Sequence, residues 1–282
     1  MSKIKVSELF YSLQGEGKYI GVPSIFLRTF GCNFTCDGFG MAKGVKSTER
    51  LAVDPAKYDS YKSLPLVHTG CDSYASWDPR FKHLSPMVTV EGIVDEMQTL
   101  LPDNKFGRDK HLIITGGEPL LGWQRSYPDL IDEILNRKMG LTDITFETNG
   151  TQALSEDLHE YLTSISDHVK VTWSVSAKLS VSGEAWHEAI KPAIVNNYTT
   201  VRNSDAYFKF VVATDDDIND VYQAVSEYKD YGVDVPVYLM PVGGTNDTYM
   251  MNERAVADFC RDNGFRFSPR IQVPLYKNAW GT

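Results

Sequence analysis

Apolar and polar residues follow two alternating rhythms along the chain. Short runs rich in Val, Ile, Phe and Tyr occur at 24–30 (SIFLRTF), 111–115 (HLIIT), 143–147 (DITFE), 169–175 (VKVTWSV), 207–213 (YFKFVVA) and 235–240 (VPVYLM). Their length and β-branched content predict strands buried in a sheet. Between them lie segments with apolar residues at helical spacing and recognisable ends. Pro128 opens and Gly140 closes YPDLIDEILNRKM, and Ser155 caps EDLHEYL. Gly232 follows the helix around INDVYQAVSEYKDY, and Asn252 and Gly264 bracket ERAVADFCRDN. This alternation predicts an α/β protein with a mainly parallel sheet. One stretch, 37–70, breaks the rhythm: it is rich in Gly, Lys, Ser and Asp and reads as a long inserted loop with a function.

The residues that do not fit a core collect where the strands end. Gly31-Cys32 follows the first strand, Thr115-Gly116-Gly117-Glu118-Pro119 ends the second, and Glu147-Thr148-Asn149-Gly150 ends the third. Ser176-Ala177-Lys178 follows the fourth, and Met240-Pro241 with Gly243-Gly244 follows the last. In a barrel or partial barrel of parallel strands these ends gather at one mouth, where active sites are built.

Composition narrows the class. With 42% hydrophobic and 12% aromatic residues the chain can bury a substantial core as one domain. The N-terminus has no apolar core of signal-peptide length and no run of 18 apolar residues occurs, so a soluble, cytoplasmic protein is expected. Lys and Arg number 28 against 37 Asp and Glu, a formal charge of −9. That balance argues against nucleic-acid binding and favours a small-molecule substrate. Four cysteines are too few for a disulfide framework, which makes metal binding the better use for a close pair.

Cys32 and Cys36, in GCNFTC, form such a pair, but an iron–sulfur cluster asks for more thiolates. Only Cys71 and Cys260 remain. Cys260 shares an apolar helical stripe with Ala255, Val256 and Phe259, the setting of a small core residue. A structural zinc site is the alternative; it needs a fourth ligand such as His68 or His83 and leaves TGGEP and SLQGEG unexplained.

The segments LFYSLQGEGKYIGVPSIFLRTFGCNFTC, CDSYASWD (71–78), TGGEPLL (115–121), ETNG (147–150), SAK (176–178) and the tail FSPRIQVPLYKNAWGT resemble the radical S-adenosylmethionine (SAM) enzymes. Within them the chain is similar to the 7-carboxy-7-deazaguanine synthase family, over most of its length. The most specific part is SLQGEG followed by LRTFGCNFTC; GGEP is shared by radical SAM enzymes generally. The resemblance implies an incomplete TIM-like barrel, a [4Fe-4S] cluster, SAM and Mg²⁺. It makes Cys71 the third cluster ligand, because CDSYASWD looks like the segment after the family's third cysteine. The spacing is then C-x3-C-x34-C where the family has C-x3-C-x2-C, with 37–70 inserted between the second and third ligands. Three thiolates leave one iron open for the amino and carboxylate groups of SAM.

The same resemblance distributes roles. Gly117 would touch SAM, with Glu118, Glu147, Ser176, Lys178, Met240 and Pro241 as further SAM-side residues. Thr115, Leu13, Gln14 and Gly15 would contact a pterin substrate, 6-carboxy-5,6,7,8-tetrahydropterin, and Arg28 would bind its carboxylate. Ser73, two residues after the third cysteine, would donate a hydroxyl to Mg²⁺. Glu16 is expected to cap its glycine-flanked turn. Gly70 stands where radical SAM proteins carry an aromatic residue against adenine, leaving Phe34, Phe39 or Tyr74 as substitutes. The implied reaction is radical ring contraction to 7-carboxy-7-deazaguanine with loss of ammonia, feeding queuosine or another deazapurine. A flavodoxin- or ferredoxin-type reductase would donate the electron, with no nucleic-acid or membrane partner, and dimerisation is expected from the family alone. An activase placing a glycyl radical on a partner protein and a zinc-stabilised binding module are the other readings.

Overall fold

The computed structural model describes residues 2–107 and 109–282. Among the described residues, nine strands form one sheet in the order β3-β1-β2-β4-β5-β6-β7-β8-β9. They are β1 (Lys3–Leu13), β2 (Pro23–Thr29), β3 (Met87–Thr89), β4 (His111–Gly116), β5 (Asp143–Thr148), β6 (Lys170–Val175), β7 (Asp205–Val212), β8 (Val237–Pro241) and β9 (Arg266–Phe267). From β2 through β9 every neighbouring pair is parallel, whereas β1 pairs antiparallel with β2 and β3. The sheet does not close, and the expected incomplete barrel is the observed architecture. The helices are α1 (Glu49–Ala52), α2 (Val90–Leu100), α3 (Tyr127–Asn136), α4 (Glu156–Ile165), α5 (Trp186–Ala189), α6 (Pro192–Thr199), α7 (Asp215–Asp230), α8 (Asn246–Asn263) and α9 (Gln272–Tyr276). Among the described residues no helix is long and apolar enough to cross a membrane.

All six expected strands are present. Their inward residues, Leu112, Ile114, Ile144, Phe146, Val171, Trp173, Phe208 and Phe210, join α2, α3, α4 and α7 in one core. Two-sided burial explains why these runs read as continuously apolar. β1 has no such run, because Lys3, Lys5, Glu8 and Ser12 alternate with its apolar residues. It was not among the expected strands for that reason.

Helix ends follow local chemistry, with three corrections. The Ser155 hydroxyl accepts from Leu158 N as expected of a cap, and Gly264 ends α8 with φ 75°. Asn252, however, lies inside α8, which starts six residues earlier, at Asn246, from a Thr245–Thr248 capping box. Helix α7 likewise begins at Asp215, where Asp217 and Thr214 form a capping box. Helix α3 stops at Asn136, short of Gly140, and the chain reverses at Lys138 with φ 53°.

The stretch 37–70 is an organised excursion rather than an irregular loop. It contains α1 and short 3-10 turns, and its Val53, Tyr61, Leu64 and Val67 pack with Tyr74, Ala75, Trp77 and Phe81 in a second apolar cluster. Its two ends meet: Gly70 N donates to Phe39 O (2.7 Å), and the Ser47 hydroxyl shares a 2.7 Å bond with Thr69. The chain thus leaves the cysteine loop and returns to nearly the same place.

Candidate active site

The carboxyl ends of the parallel strands surround a cleft of about 260 Å³. Cys32, Cys36 and Cys71 all line it. Cys32 follows β2 through Gly31, whose φ of 118° and hydrogen bond to Ser76 O (2.9 Å) set the turn. The next loop is held by Glu184: its Oε1 accepts from Thr35 N (2.9 Å) and Cys36 N (2.7 Å), with Cys36 itself at φ 51°. A non-glycine residue in that conformation needs such support. Glu184 lies 148 residues from Cys36, which hides this role from local sequence. Cys71 receives a hydrogen bond from Trp77 Nε1 (3.3 Å) and sits 3.4 Å from the Ser73 hydroxyl. Cys260 lies on the buried face of α8 in the main core and does not line the cleft.

Burial pushes the Cys32 thiol up to about 12, and burial is also the main cause of the raised Cys36 and Cys71 thiols. Isolated thiolates are thus disfavoured here, and a cationic centre shared by all three would reverse that. Among the described residues, no three His, Cys, Asp or Glu side chains stand close enough to share one metal ion. Three thiols around a common cleft, Cys36 buried and Cys32 and Cys71 half-buried, instead suit a cluster, whose thiolates each take a different iron. Of the suggested zinc partners, His68 lines the cleft and bonds Thr245, while His83 lies against Tyr58 O away from it.

The glycines of TGGEP are required first by the fold. A Cβ on Gly116 would lie 2.4 Å from Thr29 O, and one on Gly117 would lie 2.4 Å from Gly31 O and 2.7 Å from Cys32 Cβ. Their absence lets β4 close against the cysteine turn, and Gly117 still lines the cleft. Glu118 requires a correction, because its side chain does not reach the cleft. It is fully buried, and its oxygens accept from Leu120 N (3.0 Å), the Thr148 hydroxyl (2.8 Å) and Asn149 N (2.6 Å). Burial, only partly offset by these donors, pushes its carboxyl up to about 6. Glu118 thus ties the end of β4 to the end of β5.

The other expected residues all line the cleft. Thr115 ends β4 beside Arg28, its register partner on β2. Arg28 Nε donates to Glu8 Oε2 at 2.9 Å. Leu13, Gln14 and Gly15 continue β1, and Gln14 Nε2 donates to Glu147 Oε1 (3.0 Å), joining a substrate-side to a SAM-side candidate. Lys178 Nζ donates to the carbonyl (2.9 Å) and hydroxyl (3.1 Å) of Ser176. Met240 and Pro241 end β8, and Ser73 lies next to the Cys71 sulfur. Of the aromatic substitutes, Phe34 and Phe39 line the cleft, whereas Tyr74 is fully buried in the insertion cluster with its hydroxyl on Pro65 O.

A charge network also lines the cleft and reaches the thiol side at Asp72, the residue directly after Cys71. Glu16 accepts from Lys209 (2.5 Å), Arg270 Nε (2.9 Å) and Gln272 Nε2 (2.7 Å), and Arg270 also pairs with Asp72 (2.5 Å). Glu16 is therefore an ion-pair hub rather than a turn cap. Burial alone would raise its carboxyl, but Lys209 and Arg270 outweigh it and hold the group well below the carboxylate range. A lysine inside the apolar run YFKFVVA was the one local sign of this network.

Comparison with known proteins gives a consistent result. No protein-family model matches the chain. A protein of Halobacterium salinarum named 7-carboxy-7-deazaguanine synthase is 29% identical, over 98% of this chain and 91% of its own. One of the same name from Pyrobaculum aerophilum is 28% identical, over 99% and 97%. The crystal structure of QueE from Escherichia coli superposes with a TM-score of 0.55 at 19% identity, over 95% of this chain and 93% of that one, which supports the fold. The similarity to proteins of that name thus extends along nearly the whole chain.

Proposed function

We propose that this chain is a radical SAM lyase that contracts 6-carboxy-5,6,7,8-tetrahydropterin to 7-carboxy-7-deazaguanine with loss of ammonia. The observation that carries the reading is the convergence of Cys32, Cys36 and Cys71 on one cleft with Arg28, Gln14 and Thr115. It is supported by full-length similarity to proteins named for that product. Cys32, Cys36 and Cys71 would hold a [4Fe-4S] cluster, which together with SAM supplies the 5′-deoxyadenosyl radical that takes and returns hydrogen. Gly117, Glu147, Ser176, Lys178, Met240 and Pro241 would contact SAM, while Glu118 acts behind them by fixing Asn149. Phe39 is the better adenine partner, because it lines the cleft and its carbonyl accepts from Gly70 N.

In the same cleft, Leu13, Gln14, Gly15 and Thr115 would hold the pterin ring and Arg28 its carboxylate. Ser73 would give one oxygen to Mg²⁺, which keeps water in its other positions. Lys209 and Arg270 are committed to Glu16 and Asp72 and serve to hold that part of the cleft lining rigid. A cytoplasmic setting, an external reductase and a dimer remain part of this reading, on family resemblance. The deciding experiment is anaerobic reconstitution followed by incubation with the pterin, SAM, Mg²⁺ and dithionite. Mass spectrometry should find 7-carboxy-7-deazaguanine; cleavage of SAM without that product would overturn the substrate assignment.

A further inference from the structure

The insertion separates Cys36 from Cys71 by 34 residues, yet both line one cleft. A two-residue spacer limits the distance between its ends covalently, whereas a long one leaves an ensemble that must be closed at an entropic cost. Something within the excursion must therefore supply the missing constraint. The backbone bond from Gly70 to Phe39 closes the loop ends but does not reach the side of the third cysteine that faces Trp77.

Arg50, on α1 inside the insertion, does. Its Nε and Nη2 donate to the two oxygens of Asp37 (3.1 and 3.2 Å), the residue directly after Cys36. Its Nη1 donates to Asp78 Oδ2 (2.8 Å), directly after Trp77. Its guanidinium carbon lies 4.8 Å from the centre of the Trp77 ring, and that indole donates to Cys71 Sγ. Arg80 fixes the assembly from behind, with Nη2 on Asp78 (2.7 Å) and on the Arg50 carbonyl (2.8 Å). The Arg50 side chain is only 16% exposed and that of Asp78 3%, so these contacts are sheltered from solvent.

We infer that Arg50 is a positioning residue for the metallocentre: it clamps the Cys36 loop to the Cys71 segment and sets Trp77 as a donor to the Cys71 sulfur. The inference rests on the reading of Cys36 and Cys71 as cluster ligands. Three features require an arginine. A planar fork spans Asp37 with two bonds while a third nitrogen reaches Asp78, and the same plane stacks on an indole. Lysine keeps the charge but has no fork. Through Trp77 the clamp also bears on electronics, since a hydrogen bond donated to a ligand sulfur stabilises the more negative, reduced cluster and raises its potential.

The test uses the full chain, reconstituted anaerobically, with Arg50→Lys and Trp77→Phe compared with wild type. Three quantities are followed: the rate of cluster bleaching by an iron chelator, the EPR spectrum of the reduced cluster, and its midpoint potential. Arg50→Lys should bleach about tenfold faster and give a broadened spectrum. Trp77→Phe keeps the ring but loses the N–H, and should shift the potential to more negative values with iron content unchanged. Wild-type bleaching rate and spectrum in Arg50→Lys, or a wild-type potential in Trp77→Phe, would overturn the inference. Should Arg50→Lys fail to fold, Trp77→Phe decides alone, and an unshifted potential overturns the inference. A wild-type protein that takes up no cluster, or keeps a full one after Cys71→Ala, would instead overturn the site assignment and this inference with it.

Discussion

Arg28 and Glu8 are direct partners across the β1–β2 ladder, and Arg28 Nε donates to Glu8 Oε2 at 2.9 Å. Glu8 is buried, and burial raises its carboxyl against the pull of Arg28. Among the described residues this is the one hydrogen bond recorded for the Arg28 guanidinium, so its two terminal nitrogens remain for an anion in the cleft. Arg28→Ala should weaken pterin binding by about 2–3 kcal/mol while leaving SAM binding nearly intact. Anaerobic calorimetry with each ligand measures this. Because the substitution also strands Glu8, the double variant Glu8→Gln with Arg28→Ala should recover stability without recovering affinity. Equal losses for both ligands would assign Arg28 to packing alone.

Cys71 is expected to be the third cluster ligand. After anaerobic reconstitution Cys71→Ala should lose most of its iron and its visible absorbance, whereas Cys260→Ala should keep both. The latter removes only a buried sulfur near Arg266 O, at 3.6 Å. Iron retention by Cys71→Ala and loss by Cys260→Ala would reverse the assignment.

Ser73 provides a test of magnesium. Ser73→Ala should keep its cluster and still cleave SAM, since the three cysteine sulfurs remain and its hydroxyl makes only a long, 3.4 Å contact with one of them. Product formation should drop by roughly tenfold to a thousandfold and respond differently to added Mg²⁺, because one oxygen among several ligands is lost. Product and 5′-deoxyadenosine are followed in parallel across a magnesium titration. Indifference of the wild type to magnesium after thorough chelation would remove both the Ser73 role and the substrate assignment.

The Glu16 hub predicts an acid-sensitive fold. Its carboxyl lies lower in the folded than in the unfolded chain, so the stability it contributes is complete above the ordinary carboxylate pKa. That stability is lost as pH falls through the folded value. Glu16→Gln should cost about 3–5 kcal/mol at pH 7, because Lys209 and Arg270 would be left buried without their shared carboxylate. The gap to wild type should narrow on acidification below about pH 4.5, the usual carboxylate range. Urea unfolding at neutral and acid pH checks both; a gap that does not change with pH would exclude the hub.

The sequence by itself determined the six buried parallel strands β2 and β4 to β8, several helix caps and the ring of unusual residues at the strand ends, but not β1, β3 or β9. These are local properties: a buried strand needs a run of β-branched and aromatic side chains, and a cap needs one residue at one place. It also made Cys260 a core residue, because helical spacing placed it on an apolar stripe. Only the tertiary structure decided which polar groups remain available for chemistry. Glu118 looked like a ligand residue until its three backbone and side-chain donors were seen. Glu16 looked like a turn residue until Lys209 and Arg270, 193 and 254 positions away, were brought to it. The insertion had no period to read because short 3-10 turns and one-turn helices have none. Its order comes from Arg50 and Tyr61 meeting Asp78, Trp77, Ala75 and Ser85 beyond its end, and such pairings are set by how the chain packs rather than by a repeating spacing along it.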